Sequence, residues 1–209
     1  ETISLGIGQG YNNFTMLQLA SATATVASGG MKYTPRVVKA TQDALTHAQS
    51  AVTDTAPVNL GYNPDHIAVV RNGLIGVATS GTSAQVFAGS AYQSAGKTGT
   101  AQAVTIGQKE KYNASKLGEY QRDHALYMAY APAEAPKIAV AVVVENAGFG
   151  AASAAPIARR VFDYWLLGQY PSEEDMAATQ KGQTAGPVGT PRSKKDVPLL
   201  SPKNKLGEE

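Results

Sequence analysis

Cysteine is absent from the 209 residues, and the three histidines, His47, His66 and His124, lie far apart along the chain. The first absence removes thiolate nucleophiles, disulfide frameworks and thiolate metal sites together. Three dispersed imidazoles do not build a His-based metal cluster, so neither a metal nor a cofactor is expected. Charge is also scarce: charged residues make up 16% of the chain, against about 25% in ordinary soluble domains. With a formal net charge of only +2, a surface designed to coat nucleic acid is excluded. Long apolar runs are missing too. The longest, Ile138–Val144, has seven residues, where a membrane-spanning helix needs about 20, so no segment of this chain is expected to cross a bilayer. The sequence opens without Met, basic n-region or apolar signal core, and so reads as though cut from something longer. Lack of cysteine fits the periplasm and the cytosol equally. Chemistry must rest on Ser, Thr, Lys, Tyr, amides or carboxylates.

Composition changes abruptly at Tyr170. All 15 aromatic residues lie at or before it, whereas the last 39 positions carry five Pro, four Gly and twelve charges that cancel. Such a segment buries too little apolar surface to offset the entropy of ordering it. The expectation is a folded body over 1–170 and a disordered tail over 171–209.

Within the body, Met16, Leu17, Leu19, Ala20, Thr23, Ala24 and Ala27 recur at helical spacing from Thr15 until Gly29-Gly30 stops the pattern. The preceding Gly6-Ile7-Gly8-Gln9-Gly10 reads as a loop that brings backbone close to something. Pro35–Ala40 reads as a short strand and 41–62 as a loop-rich connection. A second helix is expected from about Pro64 through Ile67, Val70, Leu74 and Val77. Three β-runs follow, roughly Tyr92–Thr105, His124–Ala131 and Lys137–Asn146. The short turn Pro132–Pro136 forces the last two into antiparallel pairing. A closing helix spans Ala151–Leu167, with Ile157, Val161, Trp165 and Leu166 on one face. This order predicts an α/β (α+β) domain in which helices cover an antiparallel β-sheet.

The most informative stretch is Ala95-Gly96-Lys97-Thr98-Gly99-Thr100-Ala101-Gln102. Gly-Lys-Thr is how a phosphate-binding P-loop ends, but the spacing refuses that reading. Gly89, the nearest preceding glycine, leaves six intervening residues where the motif takes four, and the chain continues as a strand where the motif needs a helix. The other reading is a Lys-Thr-Gly triplet on a strand beside an acyl-transfer site. A cation lowers the pKa of a nearby hydroxyl and attracts a substrate carboxylate, and a threonine hydroxyl bonds that carboxylate. Glycine lets the substrate backbone lie against the strand. Alternation sets Thr98 and Thr100 on one face and Lys97 on the other, so the substrate must lie along an edge reached by both. The Thr100 N–H can then stabilise an oxyanion.

Two look-alikes are set aside. Ser94-Ala95-Gly96-Lys97 has the form Ser-x-x-Lys, but that nucleophile motif needs a helix, where residues three apart share a face; on a strand they oppose. Tyr11-Asn12-Asn13 imitates a Tyr-x-Asn motif without independent support. Asp123 and His124, at a strand start, read as structural rather than as a base pair, and Glu145 as an exposed or capped carboxylate.

Taken together, several stretches resemble the transpeptidase domain of class B penicillin-binding proteins. They are Gly6–Gly10 leading to Thr15–Ala20, Gly81-Thr82-Ser83-Ala84, Gly96–Gln102, Asp123-His124-Ala125 leading to Ala131-Pro132, and Ile138–Asn146. The Asp-His-Ala start and the Val-Val-Glu-Asn end of the last two strands look most like the elongation-type branch, the penicillin-binding protein 2 group, rather than its septal paralogue. The resemblance implies the C-terminal portion of a penicillin-binding-protein/β-lactamase-like transpeptidase fold. The implied enzyme is a serine D,D-transpeptidase that cross-links peptidoglycan stem peptides through an acyl-enzyme and is acylated by β-lactams. Lys97 and Thr100 are then the catalytic residues, and Thr98, Gly99, Thr100 and Gln102 bind substrate. The family's helical Ser-x-x-Lys and its Ser-x-Asn loop belong before the Gly6 loop and are not in this chain, so the rest of the domain is an implied partner. A membrane glycosyltransferase of the elongation machinery is another, and no nucleic acid is expected. The implied location is the periplasmic face of the bacterial inner membrane, anchored by a segment absent from this chain. A serine β-lactamase or a β-lactam sensor is the alternative within the same chemistry, and a P-loop-like nucleotide-binding module the remote one.

Overall fold

The computed structural model describes residues 2–6, 8, 12–103, 113, 116–181, 186–193 and 195–197. Two compact units share the chain, Glu1–Val77 with Tyr92–Lys97 and Met128–Ala141 in the first, and Ala78–Ala91 with Thr98–Tyr127 and Val142–Glu209 in the second.

In the first unit, α1 (Thr2–Gly6) precedes α2 (Met16–Ala27). Local sequence dictates α2. The Thr15 hydroxyl accepts the Gln18 N–H at 3.2 Å and the Gln18 side chain accepts the Thr15 N–H at 2.9 Å, a reciprocal capping box. Gly29 and Gly30, with φ of +74° and +97°, turn the chain out of the helix. Thr23 and Thr25 are buried, yet their hydroxyls donate to Leu19 O and Ser21 O one turn back, so neither is left unsatisfied. The remaining Gly6–Gly10 loop and Tyr11 fall largely outside the described residues.

Beyond α2 the strands are β1 (Met31–Lys32), β2 (Ala40–Gln42), β3 (Gln49–Ala51) and β4 (Val58–Asn59), with β1 pairing β4 and β2 pairing β3, both antiparallel. The strand expected over Pro35–Ala40 is thereby corrected: only Ala40 of that stretch is in a strand. Pro35 has no N–H to give a ladder, and Val37 and Val38 are exposed. The connection read as loop holds a hairpin instead. Its turn is organised by Asp43, whose Oδ1 accepts the N–H groups of Leu45 and Thr46 and the Thr46 hydroxyl. The Thr46 bonds above all hold the Asp43 carboxyl below its usual pKa. Helix α3 (Pro64–Thr79) then starts at the expected proline, with Asn63 Oδ1 accepting the Asp65 N–H. Its Leu74 and Ile75 pack on a core of Ala27, Ala95, Tyr130 and Ala133.

A three-stranded sheet of order β5-β6-β7 contains β5 (Ala95–Ala101), β6 (His124–Ala131) and β7 (Ile138–Val144). Six residues join the neighbours β6 and β7, which makes them antiparallel as expected, and the Lys137 N–H donates to Ala131 O across the turn. The first run is shorter than expected, ending at Ala101; positions 104 and 105 lie outside the described residues. Mixed helices and an antiparallel sheet are what the sequence predicts.

In the second unit, α4 (Ala84–Phe87) precedes α5 (Gly150–Leu167), which ends on Gly168 at φ +66°. The shared face of Ile157, Val161 and Trp165 is present but points outward, with Trp165 63% exposed. The face turned to the core carries Ala154, Ala155, Ala158 and Phe162. Large side chains are excluded where α5 begins: a Cβ on Gly150 would collide with Leu126 O and lie 2.6 Å from Gly99 O.

The disordered tail expected from 171 is corrected over its first part. Gln169–Tyr170 (β8) pairs with Arg192–Ser193 (β9), and between them stands α6 (Glu173–Gln180). Ser172 caps α6 by accepting the Asp175 N–H at 2.9 Å, and its own hydroxyl donates to Val188 O. Asp175, 1% exposed, accepts Arg160 Nε at 2.8 Å and a second Arg160 nitrogen at 2.6 Å. Polar pairing of this kind gives no signal in apolar content, which is why composition hides it.

Candidate active site

Strand β5 is an outer strand of its sheet. Along it Ala95 and Gly96 are buried, Lys97 is exposed, Thr98, Gly99 and Thr100 are half-buried, and Gln102, just past the strand, is exposed. The motif residues therefore sit on one continuous segment, as the sequence requires, and the P-loop reading loses its remaining support because the chain continues past Gly99 as strand through Ala101. Ser94 is 2% exposed and stands just before β5, outside any helix, so the Ser-x-x-Lys look-alike forms no helical face.

Two neighbours define opposite sides of the Lys-Thr-Gly-Thr segment. Thr98 Oγ1 lies 3.0 Å from Thr82 Oγ1. On Gly99, an added Cβ would come 3.3 Å from Leu126 Cβ, and the Gly99 backbone is what Gly150 of α5 approaches. Glycine at 99 thus answers a packing demand inside the protein.

Thr82 belongs to the Gly81-Thr82-Ser83 turn, closed by the Ala84 N–H donating to Gly81 O and by the Val86 and Phe87 N–H groups donating to Ser83 O. Ser83 is 0% exposed, and its hydroxyl is 3.0 Å from the Tyr127 hydroxyl of β6. Tyr127 stacks on Phe87 with ring centroids 6.2 Å apart, and Phe87 meets Phe162 at 6.3 Å. Arg159 lies over the Phe87 ring at 5.9 Å and donates to Val86 O at 3.1 Å. Burial pushes the Tyr127 phenol up to about 12, with the Ser83 hydrogen bond opposing the shift.

Residue-type reasoning assigned no role to Thr82, Ser83 or Tyr127. A signal for Tyr127 exists, since it alternates with Ala125 and Ala129 on the inward face of a β-run and is the one large polar residue there. His124 and Asp123 are placed in a strand-end clasp: His124 Nδ1 accepts the Asn146 N–H at 3.0 Å and Asp123 O accepts the Gly148 N–H at 2.8 Å. Glu145 is exposed. Among the described residues no three His, Asp or Glu side chains gather as a metal site, and no helix is long and apolar enough to cross a membrane.

An antiparallel sheet carrying Lys-Thr-Gly-Thr on an outer strand, with a helix closing on its glycine, defines the class. The chain belongs to the penicillin-binding protein transpeptidase domain family, whose model matches residues 1–163. The particular likeness is to peptidoglycan D,D-transpeptidase MrdA: the Haemophilus influenzae protein is 40% identical over 178 residues, which cover 83% of this chain and 27% of that protein. The chain thus spans about a quarter of the length of the curated relatives it matches. Pseudomonas aeruginosa PBP2, solved in complex with WCK 5153, superposes with a TM-score of 0.63 at 37% identity over 80% of this chain and 34% of that one. Penicillin-binding protein A from Mycobacterium tuberculosis, solved as an imipenem acyl-enzyme complex, gives 0.61 at 32% identity over 78% and 33%.

Proposed function

We propose that this chain supplies the substrate-binding strand of a peptidoglycan D,D-transpeptidase of the elongation type, with the nucleophilic serine contributed by polypeptide outside it. The observation that carries the reading is the placement of Lys97, Thr98, Gly99 and Thr100 on an outer sheet strand. A peptide ending in a carboxylate can add to such a strand edge. In this reading the Thr98 and Thr100 hydroxyls and Gln102 hold the substrate, and Gly99 leaves room for its backbone. Lys97 attracts the carboxylate and polarises the hydroxyl network. The serine oxygen attacks the carbonyl carbon of the penultimate residue, and the Thr100 N–H receives the developing oxyanion. As the tetrahedral centre collapses, the C–N bond to the terminal residue breaks, and that amine departs with the proton taken from the serine. An amine from a second stem peptide then attacks the acyl-enzyme and restores the serine. The imipenem acyl-enzyme of a relative supports acylation chemistry for this fold, and relatives named peptidoglycan D,D-transpeptidase support the substrate class.

The proposal extends to β-lactams as covalent inhibitors, to the periplasmic face of the inner membrane as location and to a membrane glycosyltransferase as partner. Labelling of the full-length protein by a fluorescent penicillin tests it. Label is expected on a serine outside residues 1–209, and Lys97→Ala is expected to slow acylation on the order of 10²-fold or more, as for loss of an electrostatic catalytic group. Label within this chain, or unchanged acylation in Lys97→Ala, overturns it.

A further inference from the structure

Thr98 can bond a substrate carboxylate only by donating its single hydroxyl proton to it. Thr82, 3.0 Å away, must then be the donor in the Thr82–Thr98 bond, and each bond in this chain of donors strengthens the next. The relay works only if Thr82 is held in place, and Thr82 itself is in an exposed turn. The fixed point of that turn is the next residue. Ser83 is buried, and it is bonded at 3.0 Å to Tyr127, which is 1% exposed and wedged by Phe87 into the core of the second unit.

We propose that Tyr127 is a positioning residue for the substrate strand: through its hydrogen bond to Ser83 it fixes the Gly81–Ser83 turn, so that Thr82 directs the Thr98 proton toward the substrate carboxylate. This rests on the transpeptidase reading of β5 and adds to it a second layer reaching from β6. Nothing in the inference requires Tyr127 to touch substrate.

The test compares acylation of the full-length protein by a penicillin and by its methyl ester, which lacks the carboxylate. Wild type is expected to prefer the acid. Tyr127→Phe is expected to reduce the acid/ester rate ratio by roughly tenfold, the scale of one hydrogen bond to a charged group. A variant that is merely less well folded loses both rates together and leaves the ratio unchanged. Ser83→Ala keeps the packed phenol ring and is expected to reproduce the loss, and the double variant to fall no further than the worse single one, because both act through one bond. The ratio in Ser83→Ala decides the matter if Tyr127→Phe does not fold. An unchanged ratio in the folded variants, additive losses, or a wild-type protein without preference for the acid overturns the proposal while leaving the transpeptidase reading intact. A wild-type protein that neither compound acylates overturns the transpeptidase reading itself.

Discussion

The hairpin arm of the first unit and the C-terminal clasp of the second are built from the same parts: a two-stranded antiparallel ribbon and an Arg–Asp pair. In the arm, Arg36 pairs with Asp54, with side chains 38% and 81% exposed. In the clasp, Arg160 pairs with Asp175, at 15% and 1%. Water screens the first pair and competes for each of its hydrogen bonds. The second pair is shielded, and Asp175 Oδ1 also accepts the Val188 N–H at 3.2 Å, so removal of either ion leaves a charge with nowhere to go. Identical chemistry thus carries different energetic weight according to where the fold puts it.

The largest expected effect breaks the clasp. Asp175→Ala leaves Arg160 uncompensated and should cost about 3–5 kcal/mol, read as a lower urea midpoint at Trp165, the one tryptophan of this chain. A loss below that of the hairpin pair would remove the distinction between the two regions.

A middle-sized effect comes from another buried polar contact of the second unit. The Tyr127 phenol is raised to about 12 in the fold against 10.0 for an exposed tyrosine. Above pH 10 the unfolded chain loses this proton first, so the contribution is complete below pH 10 and falls away as pH rises toward 12. Two pH units correspond to about 2–3 kcal/mol. The pH dependence of stability between 10 and 12 should therefore be shallower in Tyr127→Phe than in wild type by that amount, and equal slopes would contradict the burial of the phenol.

The smallest effect belongs to the arm: Arg36→Ala should change stability by less than about 1 kcal/mol, and 1 M salt should erase most of that. A larger loss would show that the Arg36 bond to Val52 O at 2.7 Å, rather than the ion pair, holds the arm.

Local signals in the sequence were followed closely by the structure. The helix start at Thr15, the glycine pair at 29–30, Pro64 as a helix start and the run His124–Ala131 act through near neighbours, and the elements fall there. The three-residue strands of the arm gave no alternating pattern to read, and its turn depends on one aspartate side chain. On α5 the reading of size misleads. Hydrophobicity ranks Trp165 and Ile157 above alanine, but the approach of Gly150 to the Gly99 backbone bars a large residue where the inner face begins, and Ala154, Ala155 and Ala158 continue that face before Phe162. The clasp was hidden because its order comes from a cap and a buried ion pair between residues 15 positions apart.

Composition alone limits the chemistry available here: without cysteine, and with three scattered histidines, it leaves Ser, Thr, Lys, Tyr, amides and carboxylates, and Lys97-Thr98-Gly99-Thr100 is legible because contiguous residues on one strand need no fold to bring them together. Packing brings Thr82 to Thr98 across 16 positions and Ser83 to Tyr127 across 44. A hydrogen bond is a contact within about 3 Å between groups whose separation along the chain is arbitrary, so its partners are fixed by packing and by no local pattern.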